Sequence, residues 1–231
     1  MTLQYLQAEF SLPLRFKEIA RWRGAWCELV GWDVDYFHNH NAKDGSVIYR
    51  YPLLQYRAWK RRASFVAFQE AVPAIQEALI DMDWELRWED TLTTLSLQQM
   101  HMRTHELYLD SKWHYYKLHN YLPFNSKNFA NWQELELLTD KVQFLNKLIP
   151  NHILGFANGI NWRLEGYFDV QLTNFIGQRP MTLHNIVFPT FTLEFRTQLF
   201  LPSGVGLGKG VSHGFGTLEH IGASTKSELE E

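Results

Sequence analysis

Two histidines lie two residues apart in a polar stretch, Tyr36-Phe37-His38-Asn39-His40-Asn41. Imidazole titrates near neutral pH, so His38 and His40 can accept a proton from one reacting group and donate a proton to another. Side chains two apart in an extended segment face the same side, which lets both rings address one group. The spacing also suits a metal ion, with three aspartates nearby as further ligands, Asp33, Asp35 and Asp44. A third interpretation is a surface loop with incidental histidines, since the chain contains ten.

A run of cations follows this stretch. Residues 50–62, RYPLLQYRAWKRR, contain no acidic side chain and five basic ones, Arg50, Arg57, Lys60, Arg61 and Arg62. Such a run either contacts a phosphate backbone or forms an ordinary solvated surface. The tyrosines and the tryptophan in the same run either stack on unpaired bases or pack in a core. The formal net charge of -3 at pH 7 argues against indiscriminate binding to nucleic acids.

Residues 204–216, GVGLGKGVSHGFG, hold six of the fourteen glycines of the chain. Glycine lets another group approach the backbone, but it loses the most conformational freedom on ordering, so a cluster needs a reason. The stretch is not a Walker loop, because Ser203 stands in the place of the first glycine and Gly210 follows Lys209. It also lacks the G-x-G-x-x-G pattern of dinucleotide sites, and its interleaved apolar residues argue against a linker. The sequence therefore predicts a backbone cradle for a ligand.

The composition predicts a globular, cytoplasmic protein. Hydrophobic residues make up 45% of the chain and aromatic residues 15%, which is enough for a packed core. The single cysteine, Cys27, cannot form an internal disulfide. The first ten residues lack the pattern of a signal peptide, and no apolar run is long enough to span a membrane.

The first half of the chain predicts elements in the order β-α-β-β-α-β. Alternating or β-branched residues predict strands near residues 3–10, 47–59, 63–68 and 84–97, with Pro52 bending or ending the second. Apolar residues at helical spacing predict helices between Pro13 and Gly31 and between Gln69 and Asp83. This is the order of the split βαβ unit, in which two helices pack on one face of an antiparallel sheet.

The second half predicts related elements in a less regular order. Residues 120–132 are predicted as a loop, and Thr139 as the cap of a helix that ends before a turn system from Pro150 to Gly159. Strands are predicted at 162–172 and 191–201 from alternating apolar residues. We therefore expect two α+β domains, at residues 1–97 and 98–222, followed by an acidic tail at 223–231.

The pattern Gly206-Leu207-Gly208-Lys209, with Ser212 and then Gly214-Phe215-Gly216, resembles the glycine-rich loop of the CRISPR-associated endoribonucleases that mature CRISPR RNA, members of the RAMP superfamily. Residues 47–57, VIYRYPLLQYR, and 151–162, NHILGFANGINW, are also similar to that family. The resemblance implies two tandem ferredoxin-like, RRM-like domains with antiparallel sheets and helices on one face. It further implies that the glycine loop lies against RNA.

The resemblance also implies a reaction. Members of the family cut within the repeat of a long precursor without a metal or other cofactor, leaving a 2′,3′-cyclic phosphate and a 5′-hydroxyl. It points to His38 and His40 for proton transfer, because the family commonly places its general base just after the first helix. Lys43, Lys209 or Arg57 would stabilise the charge on the phosphorane, and Tyr36 is a candidate orienting residue. The residues expected to bind RNA are Arg50, Arg57, Lys60, Arg61, Arg62, Gly206, Gly208, Lys209, Ser212, His213, Gly214 and Gly216.

Two other functions stay open from the sequence. One is a RAMP-type subunit that binds guide RNA without cutting it, and the other is a metal-dependent hydrolase built on His38 and His40. The expected partners are CRISPR repeat RNA, before and after processing, and a CRISPR interference complex, with a homodimer as a further expectation. No membrane partner is expected.

Overall fold

The computed structural model describes residues 1–32, 34–38, 50–183 and 185–224, which divide into two compact units. The N-terminal unit comprises Thr2–Glu106 with Ser212–Gly214, and the C-terminal unit comprises Met1, Leu107–Val211 and the chain from Phe215 onward. The N-terminal unit ends beyond residue 97, the expected boundary, because residues 97–106 form a strand that pairs with the first strand. Residues 225–231 of the expected acidic tail lie outside the described residues.

The N-terminal unit contains one four-stranded antiparallel sheet with the strand order β2-β3-β1-β6. In this order the first and third strands are central, as the split βαβ unit predicts. Its elements are β1 (Thr2–Pro13), a 3₁₀ turn (Phe16–Glu18), α1 (Ile19–Val30), α2 (Asp35–His38), β2 (Leu54–Trp59), β3 (Arg62–Phe68), α3 (Ala71–Asp81), β4 (Glu85–Trp88), β5 (Thr91–Thr94) and β6 (Leu97–Glu106).

The core of this unit is aromatic and lies between α1 and the sheet. Trp22 and Trp26, one helical turn apart, are fully buried, and both rings pack on Phe10 at centroid distances of 5.4 and 5.5 Å. Phe65 on β3 packs on Phe10 and Trp26. The helix ends at Gly31, whose φ of 90° an L side chain rarely adopts.

The strand expected at residues 84–97 is wrong. Its residues form a separate two-stranded hairpin, β4 and β5, because Glu89 at φ 55° turns the chain back and Trp88 pairs with Thr91. The strand that completes the sheet is β6, which begins at Leu97. The alternation of apolar and polar residues over 84–97 predicts strand structure correctly, but it does not indicate the turn that divides the segment into two strands.

The C-terminal unit contains a second four-stranded antiparallel sheet, with the order β10-β7-β9-β8. Its elements are β7 (Leu109–Tyr121), α4 (Ser126–Glu134), α5 (Leu138–Gly159), β8 (Val170–Leu183), β9 (Ile186–Leu199) and β10 (Thr217–Ala223). The first and third strands are again central, so the expected α+β fold with two tandem ferredoxin-like domains is confirmed. No helix in the described part of the chain is long and apolar enough to cross a membrane.

The connection between β9 and β10 is where the split βαβ unit has its second helix. Here that connection is the glycine-rich segment, residues 204–216, whose regular structure is limited to one 3₁₀ turn at Val211–His213. Gly206 forms an isolated antiparallel bridge with Thr217. The glycine-rich segment therefore takes the place of a helix in the C-terminal unit.

Four expectations for this unit are wrong. Helix α5 begins at Leu138 with Leu137 as its N-cap, so Thr139 is not the cap. The loop expected at residues 120–132 contains α4, which begins because the Asn125 side chain accepts a hydrogen bond from the Asn128 backbone N–H. Helix α5 continues through Pro150, since burial of Leu145, Ile149 and Ile153 outweighs the missing N–H. The strand expected from residue 162 begins only at Val170, after a bend at Gly166 with φ 115°.

Candidate functional site

His38 ends the short helix α2, which is anchored from inside the N-terminal unit. The Phe37 side chain is buried against Trp26, with ring centroids 6.5 Å apart, and the Tyr56 hydroxyl donates to the Phe37 carbonyl at 3.0 Å. His38 itself is only 4% exposed. The apolar residues before it in the sequence therefore fix its position on the unit.

The protonation pattern of His38 follows from its contact with Trp32. Its Nε2 lies 2.8 Å from the Trp32 carbonyl oxygen, and the two rings are tilted at 48° with centroids 5.2 Å apart. A carbonyl oxygen only accepts hydrogen bonds, so Nε2 carries a proton. In the neutral ring Nδ1 is then the nitrogen that can accept a proton.

Arg23 on α1 contacts both His38 and His213 within the N-terminal unit. Its Nη2 donates to the His38 carbonyl oxygen, and its Nη1 lies 3.2 Å from Nε2 of His213. Because a guanidinium only donates, His213 Nε2 accepts, and its Nδ1 lies 3.2 Å from the Ser212 hydroxyl. Sequence reasoning missed Arg23, since a single arginine on a helix next to Arg21 carries no local signal.

His40 and Lys43 lie in residues 39–49, outside the described residues, so the predicted histidine pair stays a prediction. Arg50 follows that segment, with its guanidinium 4.6 Å from the Tyr36 ring centroid in a cation–π contact. Tyr36 is therefore placed beside Arg50.

Arg57 lies in the interior, where it does not fit the expected contact with phosphate. It is 4% exposed, and its two Nη atoms donate to the Tyr56 carbonyl at 3.0 Å and the Gln55 side-chain oxygen at 2.6 Å. Burial lowers the pKa of Arg57 to about 10. This arginine sits in the middle of a strand whose neighbours Gln55 and Tyr56 are fully buried.

The other cations of the run lie at the surface. Lys60 and Arg61 form the two-residue turn between β2 and β3 and are exposed, with φ 47° and 63°. The side chain of Arg62 is 47% exposed and its Nε lies 3.7 Å from Glu9 Oε1. These three residues therefore remain available to a polyanion.

The glycines of the segment face the protein itself rather than open space. A Cβ built on Gly216 would lie 1.8 Å from the Leu207 carbonyl oxygen, and one on Gly208 would lie 2.7 Å from the Leu122 carbonyl oxygen. In the N-terminal unit, a Cβ on Gly214 would lie 2.6 Å from Ile19 Cδ1. The close approach predicted from the sequence exists, but the chain's own atoms make it. Gly206, Gly214 and Gly216 are buried, so these three glycines do not fit the contact with RNA that the sequence predicted.

The side chains that the segment exposes are few. Lys209 is exposed, while Ser212 and His213 are half-buried. Among the residues that the structure describes, no group of three or more His, Cys, Asp or Glu side chains is arranged to hold a metal ion. Three residues of the alternative metal site, Asp33, His40 and Asp44, lie outside the described residues.

Both units of the chain match models of one protein family. A model described as the Cas6b N-terminal domain matches residues 1–106, and one described as the Cas6b C-terminal domain matches residues 108–221. The chain has no match among curated proteins.

Solved structures share the fold. A crystal structure of Cas6b is 21% identical with a TM-score of 0.84, covering 96% of this chain and 100% of that chain. A CRISPR RNA processing endoribonuclease, Cas6b, is 19% identical with a TM-score of 0.73 and the same coverage of both chains. Csf5, a type IV Cas6 crRNA endonuclease, is 13% identical with a TM-score of 0.62, covering 95% of this chain and 99% of that chain.

Proposed function

Because the chain belongs to the Cas6b family, we propose that it is a metal-independent endoribonuclease that cuts within the repeat of a CRISPR RNA precursor. A structure that shares its fold is described as a CRISPR RNA processing endoribonuclease, and we extend that activity to this chain. The observation that carries the proposal is the family match over both units, residues 1–106 and 108–221.

The reaction needs proton transfer but no metal ion. The ribose 2′-hydroxyl gives its proton to a base as its oxygen attacks the adjacent phosphorus. The bond from phosphorus to the 5′-oxygen breaks, and that oxygen takes a proton from an acid. One strand then ends in a 2′,3′-cyclic phosphate, and the other begins with a 5′-hydroxyl.

We assign the two proton transfers to His38 and His40 and the stabilisation of phosphorane charge to Lys43. For His38, Nε2 donates to the Trp32 carbonyl, so we assign the uptake of the 2′-hydroxyl proton to Nδ1, the ring nitrogen that carries the lone pair. His213 is not given this role, because its Nε2 already accepts a hydrogen bond from Arg23, and we propose that it contacts RNA instead. Arg57 is left out of the reaction, because its two Nη atoms already donate to the Tyr56 carbonyl and the Gln55 side chain.

We propose that Lys60, Arg61, Arg62 and Lys209 contact the RNA backbone. Their exposure supports this role, and contacts of this kind set the position of the RNA without reading its sequence. Arg50 can join them if it leaves the Tyr36 ring. Arg57→Gln serves as a matched control, because removing an interior charge should not change the salt dependence of RNA binding.

The deciding experiment incubates the purified protein with a repeat-containing RNA in excess EDTA and analyses the product ends. A product with a 2′,3′-cyclic phosphate is expected. Binding without a product would instead identify a guide-RNA-binding subunit, and a product that disappears with EDTA would identify a metal-dependent hydrolase.

Histidine variants test the assigned roles. His38→Ala and His40→Ala should each slow cleavage by about 10²–10⁴-fold while RNA affinity stays nearly unchanged. His119→Ala is the matched control, because His119 contacts Glu219 at 2.7 Å on the surface of the C-terminal sheet. Unchanged cleavage in both variants would refute the assignment.

A further inference from the structure

A second cluster of polar side chains lies beside the glycine-rich segment, within the C-terminal unit. His152 on α5 is half-buried, and its Nδ1 lies 2.5 Å from the hydroxyl of Tyr121, at the end of β7. The positive charge of Lys209 contributes to the lowered pKa of the His152 ring. Neither His152 nor Tyr121 has a part in the cleavage proposed above.

The backbone of the segment holds Lys209 at this place. The Lys209 N–H donates to the Leu122 carbonyl oxygen at 2.8 Å. Gly208 packs so closely on the end of β7 that a Cβ would lie 2.9 Å from Cε2 of Tyr121. Glycine at position 208 therefore brings the exposed Lys209 next to the residue that holds His152.

Tyr121 determines which nitrogen of His152 carries the proton. Tyr121 is fully buried, and burial raises the pKa of its hydroxyl well above the ordinary value, so the hydroxyl stays protonated and donates. His152 Nδ1 accepts that hydrogen bond, and the proton of the neutral ring is then on Nε2. Burial, and secondly the charge of Lys209, lower the pKa of His152 to about 4. The ring is therefore a neutral donor at physiological pH.

We propose that His152 and Lys209 form a phosphodiester-binding site in the C-terminal unit, with Tyr121 as the residue that positions the imidazole. His152 donates Nε2–H to a non-bridging phosphate oxygen, and Lys209 supplies the positive charge. The choice of RNA as the ligand rests on the proposed function. The contact itself does not depend on the cleavage chemistry.

The two donors differ in a property that can be measured. A lysine that neutralises a phosphate releases a counterion, so it adds about 0.7 to the salt dependence of binding to a single strand. A neutral imidazole adds a hydrogen bond without releasing an ion. Loss of His152 should therefore lower affinity at every salt concentration by the same factor, whereas loss of Lys209 should lower affinity most at low salt.

The test measures binding of a fluorescently labelled single-stranded oligouridylate to the full chain by anisotropy, at several salt concentrations and pH 7.5. His152→Ala should weaken binding by about tenfold with an unchanged salt slope. Lys209→Gln should reduce the slope by about 0.7, whereas Lys127→Gln, an exposed lysine on α4, should leave it unchanged. Failure of the wild type to bind, or an unchanged affinity in His152→Ala, would overturn the proposal.

Tyr121→Phe tests whether the Tyr121 hydroxyl positions the imidazole of His152. The Tyr121 hydroxyl donates to Nδ1 and so keeps the proton of the neutral ring on Nε2. Without the hydroxyl that proton can move to Nδ1, so Tyr121→Phe should weaken binding at pH 7.5 with an unchanged salt slope, because burial and Lys209 still keep the ring neutral. The same change in a His152→Ala background should have no further effect. Wild-type affinity in Tyr121→Phe, or an equal loss in both backgrounds, would refute the role.

The outcome is separable from that of the proposed function. If the oligouridylate results hold but EDTA-treated protein gives no cyclic-phosphate product, the endoribonuclease assignment fails and this site stands. If cleavage occurs but His152→Ala binds like the wild type, this site fails and the endoribonuclease stands.

Discussion

Two regions of the molecule with positive φ angles use different residue types. They are the glycine-rich segment of the C-terminal unit and the β2–β3 turn of the N-terminal unit. The segment has glycine at all five of its positive-φ positions, Gly204, Gly208, Gly210, Gly214 and Gly216. The turn has Lys60 and Arg61 there, although Asn-Gly would suit a two-residue turn better. Glycine is thus required where the backbone is packed. In the exposed turn, the positive φ angles of Lys60 and Arg61 cost stability, which indicates that these two cations serve binding rather than folding.

The two units also differ in the segment that follows the third strand of each sheet. In the N-terminal unit α3 follows β3 and buries side chains, among them Val72 and Ile75. In the C-terminal unit the glycine-rich segment follows β9 and buries Leu207 and Phe215. Because glycine has no side chain, the backbone of the segment also packs directly against other atoms of the chain. A helix would hold its backbone polar groups internally, whereas the segment leaves Lys209 and its neighbours able to reach a ligand.

The largest effect is expected where the segment is packed most tightly. Gly216→Ala should lower the free energy of unfolding by at least about 3 kcal/mol, because the new Cβ would lie 1.8 Å from the Leu207 carbonyl oxygen at φ 62°. Urea denaturation followed by tryptophan fluorescence measures the change. Gly177→Ala on β8 is the control, since a Cβ there meets nothing within 4 Å. Equal effects in both variants would break the comparison.

Acid should weaken the C-terminal unit through His152, beside the segment. Its folded pKa of about 4 lies below the ordinary 6.5, so the unfolded chain binds more protons below pH 6.5 and stability falls as the pH drops toward 4. The expected loss is about 3 kcal/mol. The difference between wild type and His152→Leu, measured by urea denaturation from pH 7 to pH 4, isolates this group. Parallel curves would contradict the prediction.

The β2–β3 turn should gain stability when it receives the residues that the conformation prefers. The double variant Lys60→Asn, Arg61→Gly should raise the free energy of unfolding by about 1–2 kcal/mol, because glycine and asparagine adopt positive φ more easily. The same variant should bind RNA more weakly and with a lower salt slope. A more stable variant with unchanged RNA binding would show that the cations serve no ligand.

The smallest effect is expected at a glycine that packing does not require. Gly24 lies inside α1, and a Cβ there meets nothing within 4 Å. Gly24→Ala should stabilise the chain by about 0.5–1 kcal/mol in the same denaturation experiment, opposite in sign to Gly216→Ala. A loss of stability would remove the contrast between the two units.

The fold was predictable where the pattern is local. The positions of β1, α1, β3, α3 and β9 follow from residues two or three to four apart, so the sequence indicates them directly. The errors occur where a longer-range contact decides: Pro150 remains in a helix because its neighbours are buried in the core, and residues 162–169 alternate without joining a sheet.

The sequence by itself determined the split βαβ order of the first half, the basic run and the glycine cluster, because spacing and composition are carried by neighbouring residues. Only the tertiary structure decided that Arg57 is interior, that Arg23 contacts both His38 and His213, and that Tyr121 fixes the proton of His152. It likewise decided that the segment's glycines face the chain itself. These contacts join residues far apart in the chain, and no local spacing encodes which distant atoms fill the space beside a backbone or a ring.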